Sequence, residues 1–197
     1  MAGINAKQVY LPSPDQSSTT GAVAVAETST AAPTDARTAL PTADWTTGGY
    51  IDENGLSLSL SRSMTAIKDW SQSTVRKALT DFDGTATCNF LQMDEFAAKA
   101  LFGEDNVTAT AATTSAGNKL AIAIGAELPE IKSWCFSMKD GDARVRVYMP
   151  KAQITEIGDV SFVPGAGNIY PATISAYPDG NGKSIYVFYD DGDLVSL

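Results

Sequence analysis

From Trp45 onward, short apolar runs alternate with clusters of Gly, Asp and Asn, the pattern of strands joined by tight turns. The sharpest run is Leu56-Ser-Leu-Ser-Leu-Ser61. Its two-residue period puts Leu56, Leu58 and Leu60 on one face of a strand and Ser57, Ser59 and Ser61 on the other. Asn54-Gly55 before it reads as a turn, because this pair readily supplies the positive φ angles a tight turn needs. Residues 64–70 then bridge to a strand over 74–82, and Asp83-Gly84 reads as a turn into the next strand, over 85–93. Further strands are expected at 120–126, 131–138, 143–148, 152–157, 170–177 and 184–189. In the sixth of these nine segments Arg144 and Arg146 alternate with Val145 and Val147.

The period changes once. Asp94-Glu95-Phe-Ala-Ala-Lys-Ala-Leu-Phe102 places Phe96, Ala100 and Leu101 at helical spacing, opens on acids that suit a helix N-terminus, and stops at Gly103. The stretch 104–119 has almost no large apolar residue and is expected to protrude as a loop or hairpin that makes contacts. Residues 1–43 are rich in Ser, Thr and Ala and are punctuated by Pro12, Pro14, Pro33 and Pro41, so they read as an extended arm that orders on assembly. Within that arm, Gly21-Ala-Val-Ala-Val-Ala-Glu27 becomes a strand where a partner supplies the edge. The expected organisation is this arm followed by one β domain over 44–197.

Composition narrows the function. The chain has 197 residues, 44% hydrophobic and only 19% charged, so its surface must be covered largely by Ser, Thr, Ala and Gly. It has no histidine, which removes the commonest general base and metal ligand. Its formal charge is −9, and no basic cluster exceeds Arg76-Lys77, so the footprint of a nucleic-acid binder is missing. Cys88 and Cys135 lie in apolar runs with no second cysteine nearby, and read as buried free thiols. The first residues lack the pattern of a secretory leader, and no 18 apolar residues run together, so synthesis in the cytoplasm and no membrane span are expected.

Several motifs imitate chemistry. Gly182-Lys183-Ser184 resembles the end of a phosphate-binding loop, but Tyr177 stands where that motif needs glycine and a strand follows where it needs a helix. Asp81-Phe-Asp83, Asp140-Gly-Asp142 and Asp190-Asp-Gly-Asp193 lack the later Glu of a calcium loop and read as turns. Asn106-Val-Thr108 matches a glycosylation acceptor, which carries no weight without a secretory leader. A carboxylate pair could hydrolyse glycosides without histidine, but the acids are scattered over turns. Trp45, Trp70 and Trp134 read as core or interface anchors. No catalytic, cofactor-binding or metal-ligating residue is expected, and no cofactor.

One stretch is more specific. Pro41-Thr-Ala-Asp-Trp45, Gly49-Tyr50-Ile51 with Asn54-Gly55, the strand from Leu56 to Arg62-Ser63, Ile67-Lys-Asp-Trp70, Val75-Arg76 and Gly84-Thr-Ala-Thr87 together resemble the N-terminal half of major tail tube proteins of long-tailed, non-contractile bacteriophages. The match spans about residues 40–102. The resemblance implies a mainly β fold, a sandwich or barrel-like tail tube domain with one short flanking helix, an extended N-terminal arm and a long protruding loop. It also implies a homo-hexameric ring whose inner sheets join into one barrel, rings stacked into a tube in the virion tail, and a structural role as the conduit for genome ejection. The partners implied are a tape-measure protein inside, terminator and distal tail proteins at the ends, and double-stranded DNA only in non-specific transit.

On that reading the hydroxyl face Ser57, Ser59 and Ser61, with Asp81 and Asp83, lines the lumen and keeps DNA from sticking. Val23, Val25, Trp45, Tyr50, Val107 and Thr110 become contacts between subunits, with the arm and the 104–119 loop as connectors. The alternative is a surface or capsid-decoration β-sandwich that binds as a monomer or trimer and forms no ring.

Overall fold

In the computed structural model, which describes Ile4, residues 8–17 and residues 20–193, the alternating segments do form strands. Residues 1–3, 5–7, 18 and 19 of the expected arm, and 194–197 of the expected domain, lie outside the described residues. The strands are β1 (Ser13–Pro14), β2 (Val23–Ala26), β3 (Thr46–Gly48), β4 (Ser57–Lys68), β5 (Thr74–Phe90), β6 (Val107–Thr110), β7 (Lys119–Ile122), β8 (Lys132–Asp140), β9 (Ala143–Ile157), β10 (Tyr170–Tyr177) and β11 (Tyr186–Asp190). Nine of them form one antiparallel sheet along the path β3-β2-β8-β9-β10-β5-β4, with β1 added to β8 and β11 to β9. That path is open at β3 and β4, so the sheet does not close on itself within the chain. β6 and β7 form a separate hairpin, the hairpin form of the expected 104–119 protrusion, preceded by a single 3-10 turn.

Two pairs of expected strands are each one continuous strand. Residues 143–148 and 152–157 are both parts of β9, which runs through Pro150. Pro150 has no N–H to give to a ladder, and it sits where the β8–β9 register shifts between Lys132 and Trp134, a bulge that tolerates it. The bulge also exchanges the faces of β9: Val147 and Met149 point into the main core before it, Ala152 and Ile154 after it. Likewise 74–82 and 85–90 are both β5, and Asp83-Gly84 is not a turn. A Cβ at Gly84 would stand 3.2 Å from Ile185 Cδ1, a tight contact that Ile185 would have to relieve by shifting.

The main core holds Val23, Phe90, Trp134, Phe136, Met149, Ile154 and Ile174, and helix α1 (Glu95–Phe102) closes it with Ala97 and Leu101. The helix starts where Asp94 accepts a hydrogen bond from the Ala97 N–H, and it ends at Gly103 with φ 90°. A second, smaller cluster lies on the opposite face of the β2-β8-β9 part of the sheet, where Trp45, Cys135 and Tyr148 pack with Leu40 and Phe188. Cys88 and Cys135 are both free and buried, and they belong to different clusters. Burial pushes their thiols up to about 12 and about 11. The indole N–H groups of Trp45 and Trp134 are buried without a hydrogen-bond partner, a cost of about 1–3 kcal/mol each that apolar packing offsets.

The segment read as an arm is built onto this body. β2 lies between β3 and β8 with Val23 fully buried, and residues 27–45 strap across the smaller cluster. Arg146, 5% exposed, holds the strap by donating to the carbonyls of Asp35 and Thr38 at 2.8 and 2.9 Å. Arg37 makes a two-pronged pair with Asp190 at 2.9 and 3.0 Å. The hydroxyl and N–H of Thr38 hold the Asp35 carboxyl at about 2, and Arg37 holds Asp190 there as well.

Replacing Arg146 with Met strips the carbonyls of Asp35 and Thr38 of their donor and leaves the buried end of the side chain without its charge. The expected loss is about 2 kcal/mol, with faster proteolysis between residues 27 and 45. Denaturant titration and timed proteolysis check this, and unchanged midpoints would mean that the guanidinium does not hold the strap. Asp35 and Asp190 have folded pKa values below those of an unfolded chain, so their contribution is complete above about pH 4 and drains away as the pH falls toward 2. Denaturation midpoints should therefore be flat from neutral pH to about 5 and fall below 4, with a shallower fall in Asp190→Asn.

Candidate functional site

The register of β4, β5, β10 and the end of β9 decides which side chains share a surface. Ser57, Ser59, Ser61 and Ser63 stand opposite Thr87, Thr85, Asp83 and Asp81 on β5. Across β5, Thr85 and Thr87 face Ser175 and Thr173 on β10, which in turn face Gln153 and Glu156 on β9. All point away from the core face, whose members in these strands are Ala86, Cys88, Ala172, Ile174 and Ile154. The result is one uninterrupted polar face four strands wide. Ser57, Ser59, Ser61, Asp81 and Asp83 all lie on it, and the structure adds Thr85, Thr87, Thr173 and Ser175.

The face is knit together locally. Thr155 and Ser175 hydroxyls are 2.9 Å apart, and Tyr177 donates to Gln153 at 3.1 Å. Its charges are dilute and mixed: Asp81, Asp83 and Glu156 against Arg76 and Lys151. Such a surface binds water and offers no cluster of cations to a polyanion.

The same two strands make a second feature. β5 pairs with β10 only over Gly84 to Phe90, yet its pairing with β4 continues from Asp83 down to Thr74. Beyond the body, β4 and β5 are therefore a free two-stranded ribbon. Leu60, Met64, Leu79 and Phe82 lie on the side that continues the core face and are exposed, and the Arg62 guanidinium sits 5.3 Å from the Phe82 ring centre on that side. The ribbon turns at Asp69, whose carboxylate accepts from the Ser71 hydroxyl and the Ser73 N–H. Gln72 there takes φ 64°, a strained value for a residue other than glycine. Trp70 at the tip is 100% exposed. An apolar ribbon standing in water is a contact surface without its partner.

The expected contact residues divide. Val23 and Trp45 are buried inside the chain, and Val107 is buried at the start of β6, so none presents surface to a neighbour in this conformation. Val25 is half-buried beside the groove between β2 and α1, while Tyr50 and Thr110 are exposed. The Met64–Trp70 stretch, read as a bridge, instead continues β4 to the tip of the ribbon, with Met64, Ile67 and Trp70 exposed.

Among the described residues, no group of three or more His, Cys, Asp or Glu stands where it could hold a metal ion, and no helix is long and apolar enough to cross a membrane. The surface thus offers a wall and a handle. No curated protein matches the chain. A family model described as phage tail tube protein matches residues 11–194 of the 197, nearly the whole length. The chain belongs to the phage tail tube protein family.

Proposed function

We propose that six copies close into a ring, that the rings stack into the tube of a phage tail, and that the polar face of β4, β5, β10 and the end of β9 is the inner wall through which the genome leaves. The observation that carries this reading is the unbroken four-strand face of hydroxyls with few, mixed charges. An open sheet with an unpaired strand at its end favours pairing with another chain, and joining six such sheets around an axis removes every free edge. The inner sheets then form the barrel that a single chain leaves open. A hydroxyl wall lets DNA pass in non-specific transit, because sticking would require clustered cations that release counterions. The −9 charge of each copy adds to the repulsion within about 8 Å at physiological salt.

In that arrangement the tape-measure protein occupies the lumen before the DNA does, and the terminator and distal tail proteins cap the ends. The β6–β7 hairpin and the N-terminal residues before β2 are connectors between neighbours, with Tyr50 and Thr110 as exposed contact points.

Electron microscopy of the purified protein tests the assembly: six-membered rings or tubes are expected, and stable monomers at high concentration would sink the reading. The wall is tested separately by Asp81→Lys with Asp83→Lys. Tubes of this variant should form normally and bind a short DNA duplex at least about tenfold more tightly at low salt, with the gain lost as salt rises. Intact tubes with unchanged DNA binding would move these two residues off the lumen.

A further inference from the structure

We propose that the apolar cavity beside the end of β9 is the seat for the underside of the β4–β5 ribbon of a second copy of this chain. The proposal rests on the ring reading above and names the surface on which neighbouring copies join.

The cavity measures about 530 Å³ and lies between the end of α1, residues 122–129 and the loop after β9, with Leu128, Ile157, Phe162 and Tyr170 in its lining. It is not a finished pocket of one chain. Ile124, Leu128 and Phe162 are exposed, Phe162 to 72%. Its floor includes Ile154 and Ile157, which also pack against the main core, so it lies on the core side of β9.

The same stretch of β9 has a free backbone edge. Pairing with β8 ends at Ala152, and from Gln153 to Ile157 the ladder partner among the described residues is β10 alone. A free strand edge with an apolar hollow beneath it calls for a strand that is apolar underneath. β4 meets that description, since it pairs with β5 alone and Leu60 and Met64 lie on its core-side face, backed by Leu79 and Phe82.

Direction and charge agree with this partner. From β9 through β10 and β5 to β4 every pairing is antiparallel, so β4 runs opposite to β9. A second copy in the same orientation therefore brings its β4 antiparallel to the free edge of β9, keeping the apolar side down and the polar face continuous. Arg62 and Lys77 on the apolar side of the ribbon come toward Glu127 at the cavity. The other large groove, between β2 and α1, fits the ribbon less well. None of the exposed large apolar side chains lines it, and its Lys132 is already held by Glu27, Glu104 and Glu130.

Cross-linking full-length protein tests the seat. The variant carrying Met64→Cys and Phe162→Cys is treated with a short bismaleimide; the native thiols, buried and with raised pKa values, do not compete. A ladder of covalent oligomers is expected on a denaturing gel, and neither single variant should give it. Rings seen by microscopy with no ladder, or a ladder from Met64→Cys with Lys99→Cys in the other groove instead, would overturn this seat while leaving the ring reading intact. Absence of any ring in the native protein would overturn both. As a second measure, Phe162→Asp should leave the monomer's thermal unfolding unchanged, because the ring is already in water, and should weaken assembly at least about tenfold. Undiminished assembly of that variant would also exclude the seat.

Discussion

One strand has to serve two parts of the fold, and a strand of unbroken alternation cannot do that. The first half of β9 carries β8 on one side and β11 on the other; its second half carries β10 and, through it, β5 and β4. Both halves must bury their apolar side chains in the same core. The extra residue at Pro150 makes this possible by exchanging the faces of the strand at the point where the sheet changes partners. Without that exchange, Ala152 and Ile154 would point outward with the polar face, and the hydroxyl surface would be broken by apolar side chains. The separation of a dry core from a polar face therefore depends on this bulge and on a second one at Thr155, which keeps Ile154 and Ile157 both on the core side.

The limits of sequence reading follow from the same physics. The helix was legible because Asp94, the apolar spacing and Gly103 all act locally, within one turn of each other. The strand 170–177 was legible for the same reason, with its alternation intact from end to end. β9 read as two strands because its pattern really does reset at the bulge, and a reset looks the same as a loop when the partners are unknown. Asp83-Gly84 reads as a turn from glycine's usual freedom, whereas it lies inside β5, where a Cβ would come within 3.2 Å of Ile185 Cδ1, a contact far apart in the chain that no local pattern shows. Of the functional surface, the serine face was visible as a period of two. The ribbon was not, since nothing local tells whether an apolar strand face will be covered by its own chain.

Several of the acids hold loops. Asp179 accepts from the N–H groups of Asn181 and Lys183 and from the Tyr186 hydroxyl, Asp52 closes the turn at Asn54, and Asp190 anchors the strap through Arg37. Asp190, the first acid of a motif that imitated a calcium loop, is thus a structural acceptor already spoken for. Carboxylates serve where backbone donors of a turn need an acceptor, alongside hydroxyl and amide oxygens such as those of Ser17, Thr113 and Asn118.

The even number of strands in the polar sheet has a consequence for growth. Because the four strands from β9 to β4 alternate in direction, a copy joined as proposed would meet the free edge of β9 antiparallel and leave the same edge open at its far side. An arc of such copies is as incomplete with five members as with two, and gains nothing by stopping. On the joining proposed above, only the copy that satisfies both ends at once would remove the cost, and a closed circle would be favoured over an open arc.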